Sequence, residues 1–311
     1  MCGLVGIYQT EEVSPLDSGI LQRMNEAQWH RGPDAGGIHI ERGIGLGHRR
    51  LSIIDRADGQ QPLFNEDGSV VVVFNGEIYN YQDLRKELSG CGHRFATHSD
   101  TEVIVHAWEQ WGEACVQRFR GMFAFALWDN TDKTLYLCRD RLGEKPLYYG
   151  WLGTGFYFAS ELKAIEAVAP VGSLEIDERG LAGYLRYGYI SAPQSIYRGV
   201  YKLIPGTILT IPRASQIRPR QFSPSPGAST LSPESYWSVS EAATRGRSSI
   251  ISDEDDAIQE LDNLLRDTVR RQMVADVKVG TFLSGGIDSS LVAAIAQAES
   301  ADNVRTYTIG F

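Results

Sequence analysis

From residue 2 to about residue 210 the chain is cut into short β-forming runs separated by Gly, Asn and Asp, and this texture constrains the fold more than any other feature of the sequence. Runs at 3–9, 36–40, 45–54, 70–74, 123–129, 134–139 and 155–160 read as strands, since β-branched and aromatic residues fill them and turn formers bound them. Helical periodicity interrupts at 16–29 and 100–111, where Thr101, Ile104, Val105 and Trp108 recur three and four residues apart. A strand with one apolar face must bury it against another layer, so many strands with few helices predict packed sheets flanked by helices.

The texture changes after residue 211. Pro and Ser dominate 212–235 and large apolar residues are scarce, which predicts an exposed linker or insertion over 212–250. Ser252, Asp253 and the acids after them supply a helix N-cap and a negative first turn, and Ile258, Leu261, Leu264, Leu265 and Val269 trace one face of an amphipathic helix. A strand at 277–283, a helix at 291–298 and a strand at 304–311 then form a β-α-β unit, the opening of a parallel α/β sheet. Two strands leave both sheet edges bare, so this part is expected to be the start of a larger domain. The expected division is a domain at 2–211, a linker at 212–250 and an incomplete domain at 251–311.

Length and composition exclude some classes of function. A chain of 311 residues has room for two domains. A net charge of −9 with no basic stripe argues against a nucleic-acid partner. The apolar runs at 70–74 and 122–127 are too short to span a bilayer, so no membrane role is expected. Cys2, Cys91, Cys115 and Cys138 form no CxxC pair and suggest no disulfide framework, as expected of a cytoplasmic protein.

The reactive chemistry centres on Cys2. Loss of Met1, which a small second residue permits, would leave a thiol and a free α-amine on one residue. With a thiol pKa near ~8.5 and an α-amine near ~8, the amine can accept the thiol proton around neutral pH, giving a nucleophile with its own base. The alternative is a small buried residue opening a strand.

Other constellations are weaker when taken singly. His48, Arg49 and Arg50 adjoin an apolar strand whose end they could simply solvate; Asn75-Gly76-Glu77 follows a strand and could be an Asn-Gly turn. Ser99 or Asp100 could be only a helix N-cap, and the stretches around Arg139-Asp140 and Ser160-Glu161 could be surface turns with weak ion pairs. Leu283-Ser284-Gly285-Gly286-Ile287-Asp288-Ser289-Ser290 lies between a strand and a helix, where glycines, hydroxyls and helix N–H groups can cradle phosphate and Asp288 can help hold magnesium. No Lys follows the glycines, so it is not a Walker loop, and it resembles the PP-loop of ATP pyrophosphatases.

Together, in this order and over essentially the whole chain, these pieces resemble the glutamine-dependent asparagine synthetase family. The resemblance implies a class II glutamine amidotransferase domain of the N-terminal-nucleophile type, an α+β four-layer α-β-β-α sandwich, followed by the beginning of an α/β parallel-sheet PP-loop domain. It implies that Cys2 attacks the glutamine side-chain amide, that Asn75 and Gly76 form the oxyanion hole, and that Arg50 clamps the α-carboxylate. Asp100 with Glu77 would hold the α-ammonium, and the backbone of Leu51, Ser52, Ile53 and Ile54 would line the pocket. ATP would bind at Leu283, Ser284, Gly285, Gly286, Asp288, Ser289 and Ser290, with Ile309 beside the adenine and Mg2+ on Asp288. Ammonia would pass to an adenylated aspartate, giving asparagine, AMP and pyrophosphate.

The family's second ATP-site motif should lie past residue 311, so this chain is expected to be part of a longer protein, competent for glutamine hydrolysis and not for asparagine synthesis. The family forms dimers through its glutaminase domain, which makes a homodimer an expectation. Two other readings stay open: a related amidotransferase acting on another carboxylate, and a noncatalytic module that keeps the fold. Relatives that close β-lactam rings lack the N-terminal cysteine, and the SGGIDSS stretch disfavours glucosamine-6-phosphate synthase and amidophosphoribosyltransferase.

Overall fold

Alternation along each strand decides what the first unit buries. In the computed structural model, which describes residues 1–9, 16–212, 222–228 and 231–310, the chain divides into one unit of 1–52 with 57–238 and a second of 53–56 with 239–311. The strands of the first unit are β1 (Gly3–Gln9), β2 (Ala35–Glu41), β3 (Ile44–Arg50), β4 (Leu63–Phe64), β5 (Val70–Ile78), β6 (Gly121–Asp129), β7 (Thr134–Arg139), β8 (Tyr148–Leu152), β9 (Gly155–Ala159), β10 (Val200–Lys202), β11 (Thr207–Ile211) and β12 (Glu234–Ser235). They pair antiparallel into two six-stranded sheets among the described residues, in the orders β10-β8-β9-β1-β3-β2 and β12-β11-β7-β6-β5-β4.

Leu4 and Tyr8 of β1 join Ile44 and Leu46 of β3 in a core shared with Val71 and Val73 of β5 and Ala124, Ala126 and Trp128 of β6. This is the inter-sheet layer. Val5 and Ile7, one step out of phase on β1, pack instead against Leu21 and Met24 of α1 (Ser18–Glu26) and Ala164 and Ile165, which belong to a short later helix. On the other sheet α2 (Tyr81–Gly90) and α3 (Asp100–Trp111) present Leu84, Leu88, Val103, Ile104 and Val105 as fully buried or nearly so. The result is the α-β-β-α layering, with helices outside and two apolar sheet faces inside.

Part of the stretch expected as an exposed linker is built into this unit. Phe222 packs edge-on against Tyr149, Leu231 is buried in the inter-sheet core, and Ile208 and Thr207 pair with Glu234 and Ser235. Two isolated apolar residues were enough to dock a Pro/Ser-rich segment. Residues 239–247, also inside the expected linker, form a helix of the second unit, and 213–221 and 229–230 lie outside the described residues.

After α4 (Leu162–Glu166) and α5 (Glu178–Tyr187) in the first unit, the second unit has α6 (Val239–Arg247), α7 (Glu254–Gln272), β13 (Gly280–Phe282), α8 (Ile287–Ala298) and β14 (Arg305–Tyr307). Asp253 caps α7 by accepting from the Asp256 N–H at 3.0 Å, and the acids that follow face the helix dipole. β13 and β14 pair in parallel, as a β-α-β unit requires, although each is three residues long where 277–283 and 304–311 were expected; residue 311 lies outside the described residues. Ile258, Leu261 and Leu264, the apolar stripe of α7, are exposed.

Candidate active site

At one end of the inter-sheet layer the alternating positions stop being apolar. Gly3 pairs with Arg49, so Cys2 and Arg50 continue the inward phase of Leu4 and of Leu46 and His48. Asn75 and Glu77 continue the inward phase of Val71 and Val73 on the facing sheet. The same periodicity that builds the core therefore turns a cysteine, an arginine, an amide and a carboxylate toward one region.

Cys2 is held through its backbone, since the Arg31 Nε donates to the Cys2 carbonyl at 2.8 Å while the guanidinium pairs with Glu161 at 2.8 Å. Its Sγ lies between backbone groups of Leu51, accepting from the N–H at 3.4 Å and donating to the carbonyl at 3.7 Å. Burial pushes the thiol pKa up, the Leu51 N–H and the nearby N-terminal ammonium oppose this, and the charges of Glu77 and Asp100 reinforce it. The thiol needs a base to react at neutral pH. Both of its hydrogen-bond partners are groups of Leu51, so no histidine serves it among the described residues. Met1 precedes Cys2 here, so the Cys2 nitrogen is a peptide nitrogen and stands in for the amine that processing would release.

β3 ends at Arg50, shorter than the expected run to residue 54. The Leu51 N–H turns to Sγ and the Ser52 N–H to Asp34 Oδ2 at 2.8 Å, so ladder bonding ceases there. Arg50 is 4% exposed. Ile53 and Ile54 group with the second unit, where the Ile53 carbonyl accepts from Asp276 N–H at 3.0 Å.

Asn75 and Gly76 are not in a turn. β5 continues through them to Ile78, opposite Ala124 and Phe123. A Cβ on Gly76 would stand 2.1 Å from the Met122 carbonyl oxygen, so only glycine lets the two strands meet there. Phe123 commits its N–H to Asp140 Oδ2 at 3.1 Å and its carbonyl to the Asp140 N–H at 2.8 Å, away from β5. Gly76, opposite it in a non-hydrogen-bonded pair, therefore directs its own N–H away from β6, as Phe74 and Ile78 do. The Phe74 N–H goes to Gln61 Oε1 at 2.6 Å and the Ile78 N–H to Asp100 Oδ2 at 2.9 Å. β4 pairs with Val71 and Val72, which leaves the Gly76 N–H without a ladder partner among the described residues. Beside it the Asn75 amide is 1% exposed, and neither its Nδ2 nor its Oδ1 has a hydrogen-bond partner among the described residues. Two neighbouring donors are thus unengaged in a region where unmade hydrogen bonds are costly.

Ser99 is the N-cap of α3, its Oγ accepting from the Thr101 N–H at 3.2 Å, which frees Asp100 for the Ile78 contact. Burial raises the pKa of both Asp100 and the half-buried Glu77, and the Asp100 charge raises Glu77 further against the partial offset of Lys145. The pair therefore keeps a proton well above the ordinary carboxylate range. The folded state binds that proton more tightly than the unfolded chain does, so stability must fall as pH rises from the ordinary carboxylate value through the raised one. Glu77→Gln removes the titration; its melting temperature relative to the unsubstituted chain should be lowest near pH 4.5 and climb steadily to pH 9. A difference that stays flat over this range would show that Glu77 is ionised throughout.

Nearby polar residues, which the sequence alone left open to reading as strand-end cations and surface turns, buttress the site. His48, wholly buried and held neutral with its pKa lowered to about 3 by burial, donates from Nε2 to the Phe74 carbonyl at 2.9 Å and so bridges the sheets. Asp140, 1% exposed, accepts from the N–H groups of Phe123, Leu142, Glu144 and Lys145, and Arg139 donates to the carbonyls of Gly143, Lys145 and Leu203. Ser160, fully buried, accepts from the Leu4 N–H at 3.1 Å. Of the readings open at Arg139-Asp140 and Ser160, the surface turn does not hold: these groups satisfy backbone of the first unit.

In the second unit the carboxyl ends of β13 and β14 lead into 283–290 and 308–310, with the Leu283 N–H bonded to the Tyr307 carbonyl at 2.8 Å. Ligands of parallel sheets bind at such ends. Gly285 takes φ +84 with open space around its Cβ position, and Gly286 caps α8 without a side chain to fill the helix N–H groups. Ser284 and Ser289 share a hydroxyl contact of 3.0 Å. α8 starts at Ile287, earlier than expected, so Asp288 and Ser289 belong to its first turn. Uncapped N–H groups, exposed hydroxyls and one carboxylate suit a polyphosphate with its magnesium. Ile309 is exposed just after β14.

Comparison with known proteins bears on both units. A family model described as "Glutamine amidotransferase domain" matches residues 1–223, and one described as "Asparagine synthase" matches 260–311. The chain is 36% identical over 313 residues to "Asparagine synthetase [glutamine-hydrolyzing] 1" of Bacillus subtilis (strain 168), all of this chain matching 46% of that protein. It is 35% identical over 333 residues to "Putative asparagine synthetase [glutamine-hydrolyzing] 2" of Methanocaldococcus jannaschii, all of this chain matching 60% of that one. The chain spans about half the length of the curated relatives it matches. Among solved structures, glutamine phosphoribosylpyrophosphate amidotransferase from B. subtilis superposes with a TM-score of 0.51 at 22% identity, over 70% of this chain and 50% of that one, a likeness of fold. No helix among the described residues is long and apolar enough to cross a membrane.

Proposed function

We propose that this chain, which belongs to the glutamine amidotransferase domain family and carries the start of an asparagine synthase domain, hydrolyses glutamine at Cys2 and supplies the ammonia for amidation of aspartate. The observation that carries the reading is the pair of donors at Asn75 Nδ2 and Gly76 N–H, unengaged among the described residues, on the sheet facing the Cys2 thiol, which has no histidine partner among them. A tetrahedral intermediate on the glutamine side chain develops an oxyanion that needs two such donors, and neutral donors draw no anion into the resting site. Cys2, its amine released by loss of Met1, attacks the amide carbon; the amine takes the thiol proton and returns it to the departing ammonia. Water then hydrolyses the thioester to glutamate. Arg50 takes the α-carboxylate in a bidentate contact, and Asp100 with Glu77 takes the α-ammonium, whose arrival favours ionisation of both acids.

In the second unit Ser284, Gly285, Gly286, Ser289 and Ser290 would hold the phosphates of ATP, Asp288 its Mg2+, and the backbone at Ile309 the adenine. ATP, when bound, supplies the adenylyl group that turns a carboxylate into an acceptor for ammonia. The purified chain is tested for glutamate and ammonia release from L-glutamine, with intact mass reporting loss of Met1. Release by the processed form supports the reading; none from a fully processed chain overturns it for these residues. Asparagine and AMP formed from ATP, aspartate and ammonia by the 311-residue chain alone would overturn the expectation that synthesis needs more than these residues.

A further inference from the structure

We propose that His93, His106, Glu109 and Glu66, in the first unit, form a binding site for one divalent transition-metal cation of the zinc type. The four residues come from three segments. His106 and Glu109 share α3, His93 lies between α2 and α3, and Glu66 lies between β4 and β5. His106 Nδ1 stands 3.0 Å from Glu109 Oε2 and 3.7 Å from Glu66 Oε2, and His93 Nδ1 stands 3.6 Å from the same Glu109 oxygen. The ligand atoms of His93, His106 and Glu109 all fall within 4.8 Å of one another. Around a tetrahedral zinc with bonds of about 2.0–2.1 Å, neighbouring ligand atoms lie about 3.3 Å apart. These three separations bracket that value, and rotation of the side chains, that of Glu66 included, draws the four ligand atoms into one shell.

Three of the four ligands are also oriented from behind. His93 Nε2 meets Gln110 Oε1 at 3.1 Å, which turns its Nδ1 toward the common centre, while His106 Nε2 has no hydrogen-bond partner among the described residues and lies 3.6 Å from Glu102 Oε1. Asn65 Nδ2 donates to Glu109 Oε1 at 2.8 Å and the Arg94 N–H to Glu66 Oε1 at 3.3 Å, which leaves both Oε2 atoms facing that centre. Such outer contacts are what fix metal-binding imidazoles and carboxylates. His106 is 1% exposed, and three carboxylates, Glu66, Glu102 and Glu109, surround its ring. A dication neutralises this excess. Two imidazoles select zinc, cobalt or nickel over magnesium and calcium, which prefer all-oxygen shells. The bound ion would fasten α3, whose first residue is Asp100, to the segment before it and to the β4–β5 turn.

The test uses the full chain, stripped of metal, in a Cys2→Ala, Cys91→Ser background so that neither accessible thiol binds the probe. Zn2+ is titrated in competition with a chromophoric chelator. One equivalent should bind, excess Mg2+ or Ca2+ should not displace it, and Glu109→Gln and His93→Ala should each weaken it at least about tenfold. Metal-free melting curves matching the parent show that these variants fold. Co2+ bound to the parent should give the intense visible bands of a tetrahedral site, a readout that needs no variant. No stoichiometric binding, weak octahedral bands, or unchanged affinity in both folded variants would overturn the proposal.

Discussion

Cys2→Ala is expected to reduce glutamate release by on the order of 10⁴-fold or more while leaving the fold and glutamine binding intact. The size of the effect follows from the poverty of the site in other nucleophiles. The Sγ has backbone partners from Leu51 and, among the described residues, no imidazole, so its loss leaves the residue-2 amine as a base with no nucleophile better than water to activate. Binding should survive because the groups assigned to glutamine's α-carboxylate and α-ammonium, Arg50 and Asp100, are anchored by β3 and α3 and owe nothing to the thiol. Retention of Met1 should cost about as much as loss of the sulfur, since the amide of a peptide bond cannot accept the thiol proton. The measurement is glutamate release paired with intact mass, and a thermal shift on adding glutamine reports binding. Substantial release by folded Cys2→Ala would move the chemistry to another residue.

The strands were more legible in the sequence than the reasons for their ends and for the polar residues among them. Residues 45–54 looked like one strand because Leu51, Ser52, Ile53 and Ile54 are acceptable β residues, yet the ladder stops where the Cys2 sulfur and Asp34 capture the next two N–H groups. Both captures span long sequence separations that no local pattern signals. Asn75-Gly76 carries a turn signature, and the structure uses the glycine instead for close approach to Met122 inside a strand. Arg31, Gln61, Asp140 and Ser160 each serve a distant backbone group, and as isolated polar residues they look like surface. Asp100 was legible as a helix-start acid, but only the capping of that helix by Ser99 shows that its carboxylate is available for other work.

Asn75→Leu is expected to lower kcat for glutamine hydrolysis by about 10²- to 10³-fold with little change in KM, and to raise the melting temperature. The kinetic half follows from losing one of two oxyanion donors, which contribute once charge develops and hardly at all to ground-state binding. The stability half follows from burial: both polar atoms of the Asn75 amide are shut away without partners among the described residues, and a buried polar group in that state costs about 1–3 kcal/mol that an apolar residue of similar shape avoids. A structural asparagine would behave in the opposite way, since its loss would break contacts and lower the melting temperature. Opposite signs in the two measurements therefore separate a residue kept for chemistry from one kept for packing. A variant less stable than the parent, or one retaining activity within tenfold, would remove Asn75 from the oxyanion hole and leave the Gly76 N–H as the sole donor that β5 offers.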